Sequence, residues 1–414
     1  MADREAGVVI VGAGAAGSAC AETLARDRGF SGSILLVGRD SDPPYERPHA
    51  SKSYLRGETD RDAAYLHPAS WWEERGVELL TRTSAMKLDT DAREIALSSK
   101  QTVRYTEAAV LATGANVRRL RVPGAQLEGI HYLRALGNAD SIRADVEDAS
   151  RVVLVGGSYI ACEVAASLTQ MGKRCTMVML EPAPLATGFG EDVGAFFARV
   201  LVDHGVELVT GDPLAGFEGD ERVARVLTES GRAVDADAVV MGTGAVPDVM
   251  LARSAGLELG ESGGILCDAC LRTSAPGVWA AGDAAEYDSV LHGRRMRIEH
   301  WEVARAQGKA VGRAIAGSPA DFDEVPYFWS DLADWVTVEY IGPAAQWEQE
   351  VVRGSLDDGS FAVFYLAGGR VAAALSVGRP EDLMQARRLL ADRVEVRGRE
   401  AALADPGADL SALS

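Results

Sequence analysis

Two parts of the chain share one order of apolar, glycine-rich and helical positions. Residues 8–11 form a short apolar run, followed by a glycine-rich turn at 12–17, an alanine-rich helical pattern through Arg26 and a second apolar run at 34–37. This order of strand, turn, helix and strand predicts a βαβ unit with two parallel strands. The same order returns at 151–180, so the chain is predicted to contain two Rossmann-like dinucleotide-binding domains.

Further patterns complete the expected organisation. Residues 108–114 and 238–244 are each an apolar strand that ends in a glycine turn, and each is expected to close one of the two domains. Beyond about residue 322, strand-like alternation at 336–341 and 361–366 is followed by a basic helical pattern at 382–392. The predicted fold class is therefore α/β, with two Rossmann-like domains and a C-terminal α+β domain.

The composition fits a folded globular protein, and the charge narrows its partners. The 414 residues are 47% hydrophobic and 25% charged, with a formal net charge of −19, which repels phosphate backbones and anionic membranes. We therefore expect no nucleic-acid partner and no membrane partner. No apolar stretch approaches the roughly 18 residues of a membrane span, and the first residues lead directly into a strand pattern. Five cysteines are few for this length, which favours a reducing compartment, and we expect a cytoplasmic protein.

The first glycine turn has the spacing that accommodates the pyrophosphate of a dinucleotide. Gly12 makes the tight turn, Gly14 lets the backbone approach the pyrophosphate, and Gly17 lets helix and strand pack closely. The helix that this turn opens then directs unpaired N–H groups and a positive dipole end at the phosphates, and Ala15 in the turn is a further candidate contact of the cofactor.

The acid that usually binds the ribose in such a unit is displaced by one residue. Arg39 occupies the usual position at the end of the second strand, and Asp40 follows it. Either Asp40 still reaches the ribose, or Arg39 lies over the adenine or a phosphate, or the two form a solvated surface pair. The sequence leaves these alternatives open.

The second glycine turn departs from the usual pattern. Its three glycine positions are Gly156, Ser158 and Ala161, with Tyr159 and Ile160 between the last two. Alanine at the third position is tolerated because that position requires only close packing. Ser158 adds a side chain where a pyrophosphate passes, so it either hydrogen-bonds that phosphate or loosens the site.

The end of the following strand bears on the choice of nucleotide. Counting without gaps places Met179 at the ribose-acid position and Glu181 two residues later. No arginine cluster replaces the acid to hold a 2′-phosphate, so NADH is slightly favoured over NADPH. Gly244, in the turn that ends the 238–244 pattern, is a further candidate contact of the nucleotide.

Several motifs resemble those of one flavoprotein family. Residues 43–52, Pro-Pro-Tyr-Glu-Arg-Pro-His-Ala-Ser-Lys, are similar to a segment of the FAD-dependent ferredoxin reductases that serve oxygenases, and of the related apoptosis-inducing-factor-like flavoproteins. His49 and Ala50 depart from the family pattern, which has Pro-Leu there. The resemblance continues to about residue 395 through residues 111–114, 132–134, 282–283, 299–301 and 328–331.

This resemblance implies a glutathione-reductase-like arrangement with one FAD and with NAD(P)H as co-substrate. It implies a discontinuous FAD-binding domain at 1–117 and 247–322 and an NAD(P)H-binding domain at 118–246. The C-terminal α+β domain is expected at 323–400, and residues 401–414 are expected to form a polar tail.

The resemblance also implies which residues contact FAD. For the tryptophans among them core packing is the alternative, and for the histidine a hydrogen bond to backbone is the alternative. The implied contacts are Arg47, Lys52, Arg134 and Gly282, Ala85 beside the adenine, Thr113 and Gly114 near the pyrophosphate, Asp283 at the ribityl chain, and Glu299, His300, Trp301 and Trp329 at or near the isoalloxazine ring.

Lys52 and Glu163 are the candidate catalytic residues. A lysine beside the flavin stabilises negative charge on the reduced ring, and a carboxylate held against it can receive the nicotinamide carboxamide. Glu163 is expected on the first turn of the second Rossmann helix, where it would also complement the macrodipole. Simple helix capping is therefore the alternative for Glu163, and an ordinary surface position is the alternative for Lys52.

The pair Cys267 and Cys270 raises the question of thiol chemistry. The C-x-x-C spacing suggests a redox dithiol or half of a zinc site. The surrounding residues 264–271 have an extended pattern, in which positions three apart face opposite sides, and no second cysteine pair exists to complete a zinc site. We expect structural cysteines and no metal.

The sequence therefore favours a flavoprotein reductase that takes hydride from NAD(P)H and passes single electrons to an iron–sulfur ferredoxin. The first alternative is an apoptosis-inducing-factor-like NADH-binding flavoprotein with slow turnover and a conformational or partner-binding output. A flavin oxidoreductase acting on a small organic substrate is the second alternative. A monomer or homodimer is expected. A ferredoxin is usually acidic, and the C-terminal segment offers basic residues that either attract it or form a solvated helix face: Arg387, Arg388, Arg393, Arg397 and Arg399.

Overall fold

The computed structural model describes residues 2–343 and 346–413. The chain divides into two compact units. Unit 1 comprises Met1–Arg47, Asp62–Asn116 and Ala245–Pro326. Unit 2 comprises Pro48–Arg61, Val117–Gly244 and Tyr327–Ser414. The last residue of the predicted tail, Ser414, lies outside the described residues, and the predicted domain boundaries stay a prediction.

The described residues contain the following helices and strands. The α-helices are α1 (Ala15–Arg26), α2 (Ser53–Arg56), α3 (Ala69–Glu74), α4 (Leu136–Val146), α5 (Tyr159–Gln170), α6 (Ala186–Phe189), α7 (Glu191–Asp203), α8 (Met250–Ser254), α9 (Trp301–Ile315), α10 (Pro380–Ala391) and α11 (Glu400–Ala404). Short 3-10 helices span Arg47–Ser51, Asp62–Ala64, Gly282–Ala284 and Leu410–Ala412. The strands are β1 (Arg4–Val11), β2 (Ile34–Val37), β3 (Val77–Leu80), β4 (Ala85–Asp89), β5 (Glu94–Leu97), β6 (Thr102–Leu111), β7 (Ala115–Val117), β8 (Ile130–Tyr132), β9 (Arg151–Val155), β10 (Arg174–Val178), β11 (Glu207–Val209), β12 (Leu214–Gly219), β13 (Val223–Thr228), β14 (Ala233–Asp235), β15 (Ala238–Met241), β16 (Ala245–Pro247), β17 (Ile265–Cys267), β18 (Val278–Ala280), β19 (Ala285–Ser289), β20 (Arg294–Met296), β21 (Tyr327–Leu332), β22 (Val336–Ile341), β23 (Gln349–Ser355), β24 (Ser360–Ala367) and β25 (Arg370–Val377).

Unit 1 is built on a seven-stranded sheet with the strand order β3-β2-β1-β6-β5-β4, and β18 pairs with β6. The pairs β1–β2, β1–β6, β2–β3 and β6–β18 are parallel, with Val8 opposite Ile34 and Ile10 opposite Val110. Apolar residues fill these central strands because both faces are buried. The parallel strands end at the same edge, where the glycine turn after β1 leads into α1.

Helices α1 and α9 pack closely against each other within unit 1. Glycines on α9 permit this approach, since a Cβ added at Gly308 would lie 2.0 Å from the carbonyl oxygen of Ala16. A Cβ at Gly312 would lie 2.8 Å from the Cβ of Thr23. The close packing fixes the first turn of α1 against α9.

Unit 2 contains a five-stranded parallel sheet with the order β11-β10-β9-β15-β8. Val152 lies opposite both Cys175 and Ala238 in this sheet. An antiparallel meander, β12-β13-β14, shares a buried apolar cluster with it, which includes Val153, Phe217 and Val226. The order of strand, turn, helix and strand at 151–178 confirms the predicted second Rossmann-like unit.

The C-terminal part of unit 2 is an antiparallel sheet with the order β21-β22-β25-β24-β23, on which α10 packs. The alternation at 336–341 and 361–366 correctly predicted β22 and β24. The basic helix predicted at 382–392 begins two residues earlier, because Pro380 occupies its first turn.

The described part of the predicted tail, 401–413, packs on this C-terminal sheet and helix. Arg353 on β23 is 4% exposed, pairs with Asp382 and donates to five carbonyl oxygens between Ala402 and Ala408. Arg388 on α10 donates to the carbonyl oxygens of Leu410 and Leu413. In the described residues no helix combines the length and the apolar character that crossing a membrane requires.

Candidate functional site

The glycine turn of unit 1 has the geometry that its sequence predicts. Gly12 adopts a φ of +111°, and a Cβ there would lie 2.0 Å from the carbonyl oxygen of Ala112. A Cβ at Gly17 would lie 1.8 Å from the carbonyl oxygen of Gly12. Both positions therefore require glycine, the first for its backbone conformation and the second for the close passage of α1 over β1.

The N-terminus of α1 is open toward a ligand. Gly14 is the N-cap residue and makes no side-chain capping bond. Above its Cα, the nearest atom to an added Cβ is Nη2 of Arg47 at 3.8 Å. A helix N-terminus with free N–H groups beside a guanidinium is suited to a pyrophosphate. The first helical residue is Ala15, and its predicted contact with the cofactor stays a prediction.

Arg39 and Asp40 lie at the end of β2 with different neighbours. Arg39 donates to Asp248 Oδ2 at 3.1 Å and to Asn116 Oδ1 at 2.7 Å. Asp40 accepts from the hydroxyl of Tyr45 at 3.1 Å, and its carboxylate lies 4.0 Å from Arg47 Nη2. Arg39 is thus held by an amide and a carboxylate, whereas Asp40 lies beside the arginine that faces the glycine turn.

Asp248 is a residue that the sequence did not single out. Its carbonyl oxygen accepts from Thr113 Oγ1 at 2.6 Å, and its backbone N–H donates to the carbonyl oxygen of Gly114 at 2.8 Å. Gly114 has a φ of +68°. Asp248 therefore fixes both the turn after β6 and the guanidinium of Arg39. Nothing in the local sequence marks it, because its partners come from distant segments.

Ala85 is the first residue of β4 and pairs with Leu97. Two residues earlier, the N–H of Thr83 donates to the carbonyl oxygen of Gly38 at the end of β2. This bond brings the start of β4 to the edge of the sheet where Arg39 and Asp40 lie. The adenine contact implied for Ala85 stays a prediction.

Gly282 and Asp283 lie in a short 3-10 turn after β18. The N–H of Gly282 donates to Oε1 of Gln307 at 2.8 Å, and Gln307 is 1% exposed. Among the described residues, the Nε2 group of Gln307 has no hydrogen-bond partner. A buried amide donor without a protein partner is an observation that fits a polar ligand lying along this turn.

The segment that leads from β20 into α9 contains Arg297, Glu299 and His300. Arg297 Nη1 donates to the carbonyl oxygen of Asp283 at 3.1 Å and to Glu299 Oε1 at 2.5 Å. Burial lowers the pKa of His300 to about 4, with the charge of Asp283 opposing the shift. His300 is therefore a neutral imidazole at neutral pH. It is the N-cap residue of α9, and Trp301 is the first residue of that helix.

The residues of unit 1 fit a bound FAD. The open helix N-terminus suits the pyrophosphate, and Asp40 with Arg47 lies at the ribose end of β2. The turn at Gly282 offers Asp283 and the buried amide of Gln307 to a hydroxyl-rich chain. These residues would hold the cofactor if it binds as it does in other Rossmann-type units.

The glycine turn of unit 2 repeats the backbone of unit 1 with different side chains. Gly156 adopts a φ of +108°, and a Cβ there would lie 2.4 Å from the carbonyl oxygen of Gly242. A Cβ at Gly242 would in turn lie 2.7 Å from the Cβ of Ala161. The larger Ala161 at the third motif position is therefore accommodated by a glycine at the end of the neighbouring strand.

Ser158 is the N-cap residue of α5. Its hydroxyl donates to the carbonyl oxygen of Gly242 at 2.8 Å and accepts from the N–H of Ala161 at 3.5 Å. Tyr159 and Ile160 form the start of the helix, and Ile160 is 40% exposed. Tyr159 packs against Phe328 with ring centroids 5.0 Å apart, and burial raises its pKa.

Glu181 lies next to the glycine turn of unit 2. A Cβ added at Gly157 would lie 3.3 Å from Oε2 of Glu181 and 3.0 Å from the sulfur of Met179. Met179 is buried, whereas Leu180 is 67% exposed. Gly244, in the turn after β15, has a φ of +84° and accepts from the N–H of Arg118 at 2.9 Å. An acid, an exposed apolar side chain and a glycine turn thus lie in one region of the unit.

Lys52 and Glu163 form an ion pair in unit 2, with Lys52 Nζ 2.5 Å from Glu163 Oε1. The carboxylate is buried and also accepts from Ser330 Oγ at Oε1 (2.7 Å) and from Ser51 Oγ at Oε2 (2.5 Å). Glu163 is the fifth residue of α5, on its second turn, so the expected first-turn position was wrong. A role as a helix cap is excluded by this placement.

Hydrogen bonds hold the segment that contains Lys52 against helix α5. The hydroxyl of Ser167 donates to the carbonyl oxygen of Ser51 at 2.7 Å, and Arg56 Nη1 donates to that hydroxyl at 3.2 Å. His49, one of the residues that departs from the family pattern, contacts Ser53 Oγ through Nδ1 at 2.8 Å. These bonds hold Lys52 in place although its loop sequence is unusual.

Arg134 and Trp329 lie elsewhere in unit 2. Arg134 precedes α4, and its backbone N–H donates to Asn138 Oδ1 at 3.1 Å. Trp329 lies on β21, opposite Glu339, with its ring centroid 6.4 Å from that of Tyr327. The FAD contacts implied for both residues, and for Glu299, His300 and Trp301 of unit 1, stay predictions.

The cysteines show no sign of redox chemistry in the described residues. All five are free thiols, and Cys267 is buried on β17. Burial raises the pKa of Cys267, and burial together with a hydrogen bond to Asp321 raises that of Cys270. A raised pKa keeps a thiol protonated and unreactive at neutral pH. The described residues contain no cluster of histidine, cysteine and acidic side chains that could hold a metal ion.

Two Rossmann-like units, one with an open helix N-terminus and one with a lysine paired to a buried carboxylate, define a dinucleotide-dependent oxidoreductase. The family model described as pyridine nucleotide-disulphide oxidoreductase matches residues 6–308, and the model described as reductase C-terminal matches residues 327–414. The chain belongs to the pyridine nucleotide-disulphide oxidoreductase family. It is an FAD-dependent NAD(P)H oxidoreductase, and its residues 327–414 match the reductase C-terminal domain.

Similar proteins cover nearly the whole chain. Rhodocoxin reductase of Rhodococcus erythropolis is 35% identical over 399 residues, covering 96% of this chain and 92% of that protein. The crystal structure of the covalent putidaredoxin reductase–putidaredoxin complex aligns with a TM-score of 0.92 and 32% identity, covering 99% of this chain and 98% of that one. Apoptosis-inducing factor 3 of Homo sapiens is 30% identical, covering 96% of this chain and 65% of that longer protein. The predicted resemblance to both branches is confirmed.

Proposed function

We propose that this protein takes a hydride from NAD(P)H and passes the electrons one at a time to an iron–sulfur ferredoxin. Bound FAD supplies the step between a two-electron donor and a one-electron acceptor. The observation that carries the proposal is the pairing of Lys52 with the buried carboxylate of Glu163 in a chain that matches both family models. Two of the similar proteins described above are reductases of rhodocoxin and putidaredoxin, and one is seen joined to putidaredoxin.

Glu163 retains an acceptor position for a substrate group. A carboxylate offers about four lone-pair sites. Lys52 and Ser330 occupy Oε1 and Ser51 occupies one site of Oε2, as far as the described residues show. The remaining site of Oε2 is suited to the carboxamide N–H of nicotinamide, while Lys52 supplies a fixed positive charge. The chain's own contribution is then orientation and electrostatics, without an acid–base catalyst.

The preferred nucleotide is NADH. Glu181 beside the glycine turn is suited to accept from ribose hydroxyls and would repel a 2′-phosphate. The segment 179–186, Met-Leu-Glu-Pro-Ala-Pro-Leu-Ala, contains no lysine or arginine that could neutralise such a phosphate. The exposed Leu180 offers an apolar surface to the adenine ring.

The proposed setting is the cytoplasm, where reduced nucleotides and iron–sulfur ferredoxins meet. The sparse and unpaired cysteines support a reducing compartment. We further propose that the protein acts as a monomer or homodimer and needs no membrane or nucleic acid.

Anaerobic stopped-flow spectroscopy of the FAD-loaded protein tests the proposal. NADH should bleach the flavin band rapidly and NADPH more slowly, and subsequent mixing with oxidised putidaredoxin or another iron–sulfur ferredoxin should restore the band quickly. Slow bleaching into a stable long-wavelength species that no ferredoxin discharges would contradict electron transfer and favour the apoptosis-inducing-factor-like alternative. Equal rates with NADH and NADPH would contradict the nucleotide preference alone.

A further inference from the structure

The N-cap residues of the two Rossmann helices have nearly the same backbone and different side chains. Gly14 has φ −84° and ψ −162°, and Ser158 has φ −80° and ψ 169°. Neither conformation is reserved for glycine. The difference between the two nucleotide sites at this position is therefore only the side chain of Ser158.

The side chain of Ser158 makes hydrogen bonds that occupy polar groups at the start of α5. Its single proton is donated to the carbonyl oxygen of Gly242, and its oxygen accepts from the N–H of Ala161. At α1 the N-cap makes no side-chain bond, so its first-turn N–H groups stay available. A pyrophosphate at α5 therefore meets one N–H group that already has a partner and a hydroxyl without a free proton.

The hydroxyl of Ser158 reaches the carbonyl oxygen of Gly242 because Gly156 and Gly242 lie close together. The carbonyl of Gly242 lies at the end of β15, facing the glycine turn of Gly156. The hydroxyl is thus held toward the protein, which favours the second of the two roles that the sequence left open for Ser158, a looser site. The Cβ and the hydroxyl oxygen of Ser158 narrow the space at the N-terminus of α5. This is the motif position where a second glycine normally lets the pyrophosphate approach.

We propose that Ser158 weakens the hold of unit 2 on the pyrophosphate of NAD(H), so that the nucleotide binds less tightly and oxidised nucleotide leaves faster than from a glycine site. This inference rests on the proposed use of NAD(H). It assigns to Ser158 the setting of nucleotide affinity, a role separate from the pair of Lys52 and Glu163.

Isothermal titration of the full-length FAD holoprotein with NAD+ and with ADP-ribose tests the role of Ser158. Ser158→Gly should lower both dissociation constants by about fivefold or more, because a charge-assisted bond to phosphate is regained. Ser158→Ala, which removes the hydroxyl but keeps the Cβ, should give a smaller decrease. Adenosine, used as a competing ligand without a pyrophosphate, should bind wild type and variants equally. Glycine replaces serine at an N-cap at little cost in stability, and thermal unfolding checks that each variant is folded.

Unchanged or weaker binding of NAD+ and ADP-ribose by Ser158→Gly would overturn the inference, and weaker binding would mean that the hydroxyl contacts the phosphate. The proposed function is judged separately on wild type. If NADH does not reduce the flavin of wild type, the proposed function fails and the inference fails with it. If NADH reduces it normally and Ser158→Gly binds NAD+ as wild type does, only the inference fails.

Discussion

The buried carboxylate of Glu163 is surrounded by one cation and two hydroxyl groups. Lys52 neutralises it, and Ser51 and Ser330 satisfy further lone pairs. Removing one member of a buried ion pair leaves the other charge uncompensated and costs about 3–5 kcal/mol, whereas removing both can be nearly neutral. The stability of unit 2 and the chemistry of the site can therefore be separated by substitution.

Lys52→Met should lower the free energy of unfolding by about 3 kcal/mol and slow flavin reduction by NADH, because the carboxylate loses its cation. The double variant Lys52→Met/Glu163→Gln should recover most of the stability but none of the reduction rate. Chemical denaturation and anaerobic stopped-flow spectroscopy measure the two quantities on the same proteins. A double variant that regains both would show that the pair serves folding only.

His300 should make unit 1 sensitive to acid. Its folded pKa of about 4 lies below the ordinary value of 6.5, so the unfolded chain binds the proton more readily than the folded one. The free energy of unfolding therefore keeps its full value above about pH 6.5. It decreases by up to about 3 kcal/mol as the pH falls toward 4. Thermal unfolding of wild type and His300→Gln across this range should show a smaller decrease for the variant. Parallel curves would contradict the burial of a neutral imidazole.

The sequence predicted residues whose role is set by local geometry or by a long motif. Gly12 and Gly17 could be assigned because a tight turn and a close helix passage exclude other side chains. Asp248 and Ser330 could not, since each acts on a group more than a hundred residues away in the chain. Such contacts depend on tertiary packing, for which a single sequence carries no local signal.

At the scale of elements, strand β21 connects the C-terminal sheet to α5. Ser330, 1% exposed on this strand, donates to Glu163, and its neighbours in the sheet are apolar or face outward. Ser376 on β25 is equally buried and serves as the matched control position. Its hydroxyl accepts from the N–H of Arg379 and makes no hydrogen bond to Glu163. The two serines differ in whether they touch the ion pair.

Ser330→Ala should slow flavin reduction by NADH several-fold, because Glu163 loses a donor that fixes its orientation toward Lys52. Ser376→Ala should lose a similar amount of stability, about 1 kcal/mol for one hydrogen bond, and reduce the flavin at the wild-type rate. Ser330→Thr, which keeps the hydroxyl, should restore much of the rate. Stopped-flow reduction at saturating NADH measures the effect, and equal rates for Ser330→Ala and Ser376→Ala would refute the role of β21.

Elements with strong periodicity were predictable, and those governed by packing were not. The apolar runs gave β1, β9 and β15, and alternation gave β22 and β24. The segment 401–413 was predicted as a polar tail, but it consists mostly of alanine and leucine, and Leu403 and Leu410 are buried. The buried guanidinium of Arg353 also organises its carbonyl groups. Its few apolar anchors follow no helix or strand period, and the carbonyl groups that bind Arg353 leave no side-chain pattern, which is why the sequence suggested only a tail there.

At the scale of the whole molecule, a net charge of −19 opposes the approach of an acidic ferredoxin. The C-terminal arginines were the candidate basic patch, but all five already have interaction partners within the protein. Arg388 donates to carbonyl oxygens of the packed C-terminal segment, and Arg397 lies 3.6 Å from Glu395. Long-range repulsion should therefore outweigh local attraction at low salt.

This balance predicts an unusual salt dependence of ferredoxin reduction. The Debye length is about 30 Å at 0.01 M and about 10 Å at 0.1 M ionic strength, so added salt first screens the repulsion between the net charges. The second-order rate constant for reduction of an acidic ferredoxin should rise over this range, whereas that for cytochrome c, a basic acceptor, should fall. Stopped-flow mixing of the reduced protein with each acceptor at several ionic strengths measures both constants. A rate constant for the ferredoxin that falls steadily with salt would show instead that a local basic surface dominates the encounter, and single Arg→Gln substitutions in the 387–399 segment would then locate it.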